Sequence, residues 1–500
     1  MSSIRKQSLI SSVIVYAGFA LGFLNIYLFT REGGFTREQY GLISSFIAFA
    51  SVLLAFSGFG VQAYIGKFFP YYNAHLQTRD NDQAAWALMA PLAGFGIIWA
   101  LSPLLKGFFT RIFNNSPELV TYYDWLFPFA LGYTFFVILE AFGWMLGRSI
   151  LTNFYKELFH RFLILVLIAC IYLGLIKQFH QFVHLFAFSY IFITLLLGWT
   201  LFRRGQLNLT FRQSKVTRRY RHKILTLAAF TWSSSIIFNL AGVFDTIVIA
   251  AVLPDGMAQV GVFTLGQTLS GLIQAPQRAV VSAAVAPLSA AWREKRLDTI
   301  QRIYQRSSIN QLIFATGMFG LVWLNYVDAI DTFHLQEAYK ASAWVFFLMG
   351  IKVIIDMGTG VSSQIIATST YWRFEFKTGL LLLALSLGLN FFLTRRLGII
   401  GPAISNIVAY LVYNGIRYYF LWKKFRMQPF TLQSLLTLLL AASAYVGAYF
   451  PCADKSGLLW LVVRSAIFCA VFFPGVLLLK LSPDIAPVWA TVRKRLGLGQ

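Results

Sequence analysis

Ser8–Thr30 reads SLISSVIVYAGFALGFLNIYLFT, twenty-three residues with no charge and Asn25 as the single amide. A run of about 20 apolar residues is what a helix needs to cross roughly 30 Å of hydrocarbon. The run follows Arg5 and Lys6. It is too long for a signal-peptide core and lacks a convincing cleavage site, so it reads as a retained first span. Similar stretches recur along the chain. Fourteen spans are expected, with cores at 8–30, 40–66, 84–108, 121–147, 158–176, 182–202, 224–252, 258–284, 308–328, 341–366, 376–393, 399–421, 431–450 and 457–479. The composition agrees. Apolar residues make up 58% and charged residues 12% of 500, and the mean hydropathy is +0.65. A soluble fold cannot bury that much apolar surface and still present a polar exterior. The expected class is an all-α polytopic membrane protein.

The net charge of +23 would point to nucleic acid in a soluble chain. In a membrane chain, cytoplasmic loops retain Lys and Arg, so the charge should alternate from loop to loop. With a cytoplasmic N-terminus, 29 of the 42 Lys and Arg residues fall in inside segments and 9 in outside loops. The other four, Arg278, Lys352, Arg417 and Arg464, lie within spans. This bias places both termini in the cytoplasm and makes the number of spans even. The basic segment 203–223 reads as an anchor on anionic lipid, and no nucleic-acid partner is expected. It is also the longest connection, so no extramembrane domain is expected on either face.

That segment divides the chain into 1–202, with helices 1–6, and 224–421, with helices 7–12. Helices 13 and 14 and a cytoplasmic tail occupy 422–500. Gln39-Tyr40-Gly41-Leu42 opens the second span and Gln259-Val260-Gly261-Val262 the eighth, at an offset of 220 residues. This register fits a six-plus-six repeat, an arrangement that underlies many transporters.

Five motifs carry a family likeness: Tyr27–Arg31 (YLFTR) running into Glu38–Gly41 (EQYG), Ser57–Gly60 (SGFG), Gln274–Arg278 (QAPQR) and Leu397–Ala403 (LGIIGPA). In their order and spacing the chain resembles the polysaccharide (O-antigen type) flippases of the multidrug/oligosaccharidyl-lipid/polysaccharide exporter superfamily. The resemblance implies two six-helix lobes forming a V around a central cavity, followed by two extra helices. It implies alternating access that carries an undecaprenyl-pyrophosphate-linked glycan from the cytoplasmic to the periplasmic leaflet of a bacterial inner membrane. Polysaccharide polymerase machinery is a candidate partner, and Na+ or H+ the candidate coupling ion. No other cofactor and no enzymatic activity are expected.

Ionisable residues inside a span are costly, so each is a candidate for function. Arg278 follows Pro276, which should loosen the eighth span, about six residues from its inner end. Its guanidinium fork suits a pyrophosphate, and the alternative is a snorkelling side chain. Relatives place an Arg in this helix and basic residues in the first two, where this chain has only Asn25 and, at the end of the second span, Lys67. Lys352 and Asp356 stand at i, i+4 in the tenth span. They read either as a self-neutralising pair or as a cavity-facing pair, Lys352 for substrate and Asp356 for coupling.

Asp245 lies beside a polar stripe of Ser235, Asn239, Gly242 and Thr246 in the seventh span. In cation-coupled relatives an acid in this helix helps to bind the ion. Those that complete the site from the eleventh span use an acid there, where this chain has Asn390 and Thr394. Glu140, in the fourth span, reads as a protonatable acid or as a neutral acid hydrogen-bonded within its lobe. Arg417, a further candidate substrate contact, and Arg464 both read as snorkelling.

Other signals are weaker. His180 and His184 are four apart without a third ligand, so no metal site is expected. Cys170, Cys452 and Cys469 form no CxxC motif. No GxxxxGK[ST] motif occurs. The main rival within the superfamily is a cation-coupled multidrug exporter. A membrane glycosyltransferase or polymerase is the rival outside it, through Asp80-Asn81-Asp82, but that DxD sits in a short loop with no room for a nucleotide fold.

Overall fold

The computed structural model describes residues 2–485, with side chains from Val13 onward except that of Trp372. Arg493, Lys494 and Arg495 of the expected tail, and the side chains of Arg5 and Lys6, lie outside the described residues. Among the described residues the chain is helical with no β-strand. It forms two compact units, Met1–Gly261 and Val262–Gln500.

The first unit holds α1 (Ser2–Thr30), α2 (Arg37–Ser57), α3 (Val61–His75), α4 (Gln83–Ile112), α5 (Pro117–Thr121) and α6 (Leu126–Met145). It continues through α7 (Ser149–Asn153), a π-helical turn at Phe154–Phe159, α8 (His160–Tyr172), α9 (Phe179–Ala187), α10 (Ser189–Arg203) and α11 (Lys215–Val252). Helix α12 (Gly256–Gln274) begins in this unit and ends in the second. The second unit continues with α13 (Gln277–Arg293), α14 (Leu297–Thr332), α15 (Ser342–Gly358), α16 (Ser362–Ala367), α17 (Trp372–Leu397), α18 (Ile400–Phe425), α19 (Leu432–Tyr449) and α20 (Leu458–Leu478).

Among the described residues, eleven segments are helical, long and apolar enough to cross a membrane. Three of the fourteen expected spans fall short. At 158–176, α8 has thirteen residues and follows the π-helical turn. At 258–284 the helix breaks after Gln274. At 399–421, Asn406, Asn414 and Arg417 lower the hydropathy of α18. Exposed Leu104, Leu173 and Leu478 form the kind of surface that suits lipid.

Thr36 starts α2 with a capping box: its hydroxyl accepts from the Gln39 N–H (3.3 Å), and the Gln39 side chain accepts from the Thr36 N–H (3.0 Å). The Ser57–Gly60 motif is the elbow that ends α2. Phe59 and Gly60 take φ of 45° and 67°, the left-handed region. A Cβ at Gly60 would also press on the Ala228 carbonyl of α11 at 2.5 Å. One long second span was expected, so the elbow is a correction. It leaves Lys67 exposed within α3 rather than at a span end.

The two QxGx motifs meet. A Cβ at Gly41 would strike the Met257 carbonyl and come within 2.9 Å of the Gly261 nitrogen. One at Gly261 would strike the Arg37 carbonyl and come within 3.2 Å of the Gly41 nitrogen. Each glycine therefore faces the residue four before its counterpart, and α2 and α12 cross backbone to backbone.

Asp82 has a structural task. Its Oδ2 accepts from the Ser214 N–H (3.0 Å), the Thr217 hydroxyl (2.7 Å) and the Trp86 indole (3.1 Å). It thereby pins the start of α11 to that of α4, while Thr210 donates to the Arg79 carbonyl (2.8 Å). One of the two DxD carboxylates is thus engaged within the fold through its Oδ2. The basic segment is non-helical only over 204–214, since α11 starts inside it.

In the second unit, α19 and α20 pack on α14 through Ile313, Leu324, Ala444, Phe468 and Phe472. Arg464 is not a snorkelling residue. It is 2% exposed, pairs with Asp328 of α14 and donates to the Cys452 carbonyl (2.8 Å), closing the α19–α20 turn onto α14.

Because backbone cannot yield, Gly41→Ala and Gly261→Ala should each cost roughly 1–3 kcal/mol by overpacking. Gly96→Ala, where a Cβ meets nothing within 4 Å, should be close to neutral. Thermal unfolding of the three variants in one detergent checks this.

Candidate functional site

The eighth span breaks where Pro276 denies the helix a donor. The Leu272 carbonyl accepts instead from the Ala275 N–H (3.2 Å), and α13 restarts at Gln277. The break is bridged from α15. Asp356 Oδ2 accepts from the side-chain amides of Gln274 (3.4 Å) and Gln277 (3.1 Å), the residues on either side of the break. Gln274 also donates to Gln277 Oε1 (2.8 Å). One carboxylate thus holds both ends of a broken helix.

Its other oxygen leads inward. Asp356 Oδ1 accepts from Asn414 Nδ2 of α18 (3.3 Å), and Asn414 Oδ1 accepts from the Thr359 hydroxyl (3.1 Å) and Arg417 (3.1 Å). Arg417 pairs with Glu375 of α17 (3.2 Å) and lies over the Tyr413 ring at 4.2 Å. Glu375 Oε1 also accepts from the hydroxyls of Tyr413 (3.1 Å) and Ser363 (2.5 Å). Spacings of three, one and three bring Tyr410, Tyr413, Asn414 and Arg417 to one side of α18. A polar chain thereby links six helices, from the break between α12 and α13 through α15, α16 and α18 to α17.

Two expectations are corrected here. Lys352 and Asp356 make no ion pair with each other: Lys352 lies over the Tyr410 ring at 4.0 Å, and Asp356 is taken by three amides. Arg417 does not snorkel, being 3% exposed and held by Glu375 and Asn414. Arg278 is exposed in the first turn of α13. Because α13 runs on to Arg293, Arg278 lies far from the helix end where it was expected. Asn390 and Thr394 are buried in α17, the threonine hydroxyl donating to Asn390 Oδ1 (3.0 Å).

The first unit holds the remaining candidates. Glu140 is buried but not a lone acid: Lys156, carried on the π-helical turn, donates to both its oxygens at 3.2 Å. Asn25 is buried and donates to the Arg161 carbonyl (2.9 Å). Asn239 donates to the Ser235 carbonyl one turn back (2.8 Å), and Asp245 is buried on the same helix. Lys67 makes no ion pair among the described residues.

Glu375, Gln274, Gln277 and Asn414 were not singled out by sequence. Glu375 carried a signal, as the one acid in α17. The two glutamines flank Pro276 in the Gln274–Arg278 motif and stand out only once the break is known.

Breaking the Arg417–Glu375 pair from one side leaves a buried charge, so Arg417→Ala should destabilise by roughly 3–5 kcal/mol. Arg417→Met with Glu375→Leu should recover much of that loss. A thermal-unfolding double-mutant cycle checks it.

No family model and no curated protein match the chain. Solved structures do. The chain is similar to the lipid II flippase MurJ in an inward closed conformation, with TM-score 0.72, 13% identity, and 93% of this chain and 98% of that one covered. It is also similar to a multidrug resistance MATE family transporter of the MOP superfamily. The inward-facing form gives TM-score 0.63, 16% identity and coverage of 83% and 96%. The outward-facing form gives 0.54, 15%, and coverage of 84% and 95%. The chain therefore shares the fold of these structures.

Proposed function

We propose that the protein is an alternating-access flippase of a bacterial inner membrane, with both termini cytoplasmic. It moves an undecaprenyl-pyrophosphate-linked oligosaccharide, such as an O-antigen repeat unit, from the cytoplasmic to the periplasmic leaflet and hands it to polymerase machinery. The observation that carries this reading is Arg278, an exposed guanidinium immediately after a helix break held by Asp356. A planar fork of this kind binds phosphate oxygens in pairs. Similarity along nearly the full length of a lipid II flippase supports it further.

In this reading Asp356 is the coupling acid. A proton or Na+ on its carboxylate weakens its hold on Gln274 and Gln277 and frees the break to bend, moving Arg278 with it. Lys352, Asn25 and Lys67 are secondary substrate candidates, and Asp245, Glu140, Asn239, Asn390 and Thr394 secondary coupling candidates. Multidrug export is the second reading, favoured by the MATE similarity.

Proteoliposomes loaded with a fluorescent undecaprenyl-pyrophosphate glycan test the proposal. Arg278→Ala should slow translocation about tenfold, the worth of one charge-assisted hydrogen-bonded contact. Asp356→Asn should remove the response to a pH or Na+ gradient while the chain stays folded. Unchanged translocation in Arg278→Ala overturns the anion site. A wild type that moves a cationic dye and no glycan replaces the flippase with an exporter.

A further inference from the structure

A second feature lies away from the Asp356 network, in the first unit. The elbow at Phe59–Gly60, the start of α4 and the first half of α11 enclose a cavity of about 450 Å³. Its walls are mostly apolar, with the aromatic rings of Phe59, Tyr64, Trp86 and Trp232 and the side chain of Leu225 among them. Each wall is fixed. The Trp232 indole donates to the Phe56 carbonyl (3.1 Å), and its ring packs on Phe59 at 4.9 Å. Trp86 is tied to Asp82. Leu225 and Ala229 are exposed on α11, so the slot opens to the surface.

Gln213, Thr217 and Arg221 supply the polar lining, and Arg221 is the charged side chain in it. Arg212, Lys215, Arg218, Arg219 and Lys223 are exposed around it, and none of these six cations has an ion-pair partner among the described residues. The nearby acid, Asp82, is buried and already accepts three hydrogen bonds. Basic side chains in the first turns of α11 oppose its dipole, which itself favours an anion at that end. The segment is the one whose charge assigns it to the cytoplasmic face.

We infer that this slot binds one anionic phospholipid, its acyl chain against Phe59, Trp86 and Trp232 and its phosphate on Arg221. A surface layer of lysines would attract anionic lipid loosely and without regard to the chain. An aromatic slot beneath the cations adds selection for a chain at a fixed place, independently of what the protein transports.

The test counts lipid retained by the purified full-length protein, by native mass spectrometry, after extraction from nanodiscs of phosphatidylcholine doped with phosphatidylglycerol of the same chains. Wild type should retain phosphatidylglycerol in preference to phosphatidylcholine. Arg221→Gln should lower that retention about fivefold, the worth of one basic residue at an anionic surface. Ala229→Trp and Ala90→Phe fill the slot from opposite walls and leave every cation in place, and both should also lose the retained lipid. Their unfolding temperatures establish that they fold. Full retention in both filled variants means headgroup attraction alone and overturns the slot. Equal retention of the two lipids overturns the anionic selection. Displacement of the lipid by glycerol phosphate would make the site a free-anion site and overturn the proposal as well.

Discussion

A charge enclosed by apolar helices must bring its own partner. Desolvating an ion costs several kcal/mol, and the cost is recovered only by close, well-aligned opposite charge or hydrogen bonds. The described structure follows this rule in its deep charges. Arg464 takes Asp328, Arg417 takes Glu375, Glu140 takes Lys156, and Asp356 takes three amides. Each pairing fastens a place that would otherwise come apart: a turn onto α14, α17 to α18, the π-helical turn to α6, and the two ends of the broken eighth span. Partnering also sorts the cations by role. Arg417 and Arg464 are spent on the fold, while Arg278 and Lys67 remain exposed.

The helical membrane class was legible because hydrophobic length is a local property, complete within a run such as Ser8–Thr30. Pro276 announced the break at its own position for the same reason. Less legible was how far each helix continues past its apolar core. α13 runs on to Arg293 and α3 to His75, so that Arg278 falls in the first turn of α13 and Lys67 in the middle of α3.

Pairings across the chain were not legible. Arg464 and Asp328 are 136 residues apart and Arg417 and Glu375 are 42 apart, so each residue alone reads as a stray charge near a span end. Lys352 and Asp356 show the opposite error. Their spacing permits a pair, but the Tyr410 face and the amides of Gln274, Gln277 and Asn414 compete better for each of them. Spacing on one helix says which groups can meet, and the neighbouring helices decide which do. For function, the motifs led to the fold and to Arg278, while the acid beside it acquired its place only from the residues around it.

The crossing of α2 over α12 has a mechanical consequence. Where side chains interdigitate, two helices can trade one set of grooves for the next and so slip along one another. At Gly41 and Gly261 nothing projects from either surface, and peptide planes rest directly on peptide planes. Such a joint resists compression and keeps the two axes a constant distance apart, with the Ser45 hydroxyl reaching Met257 Sδ beside it at 3.7 Å. Since α12 runs on from this contact to the break at Pro276, a single helix carries a close backbone contact near one end and an interruption at the other.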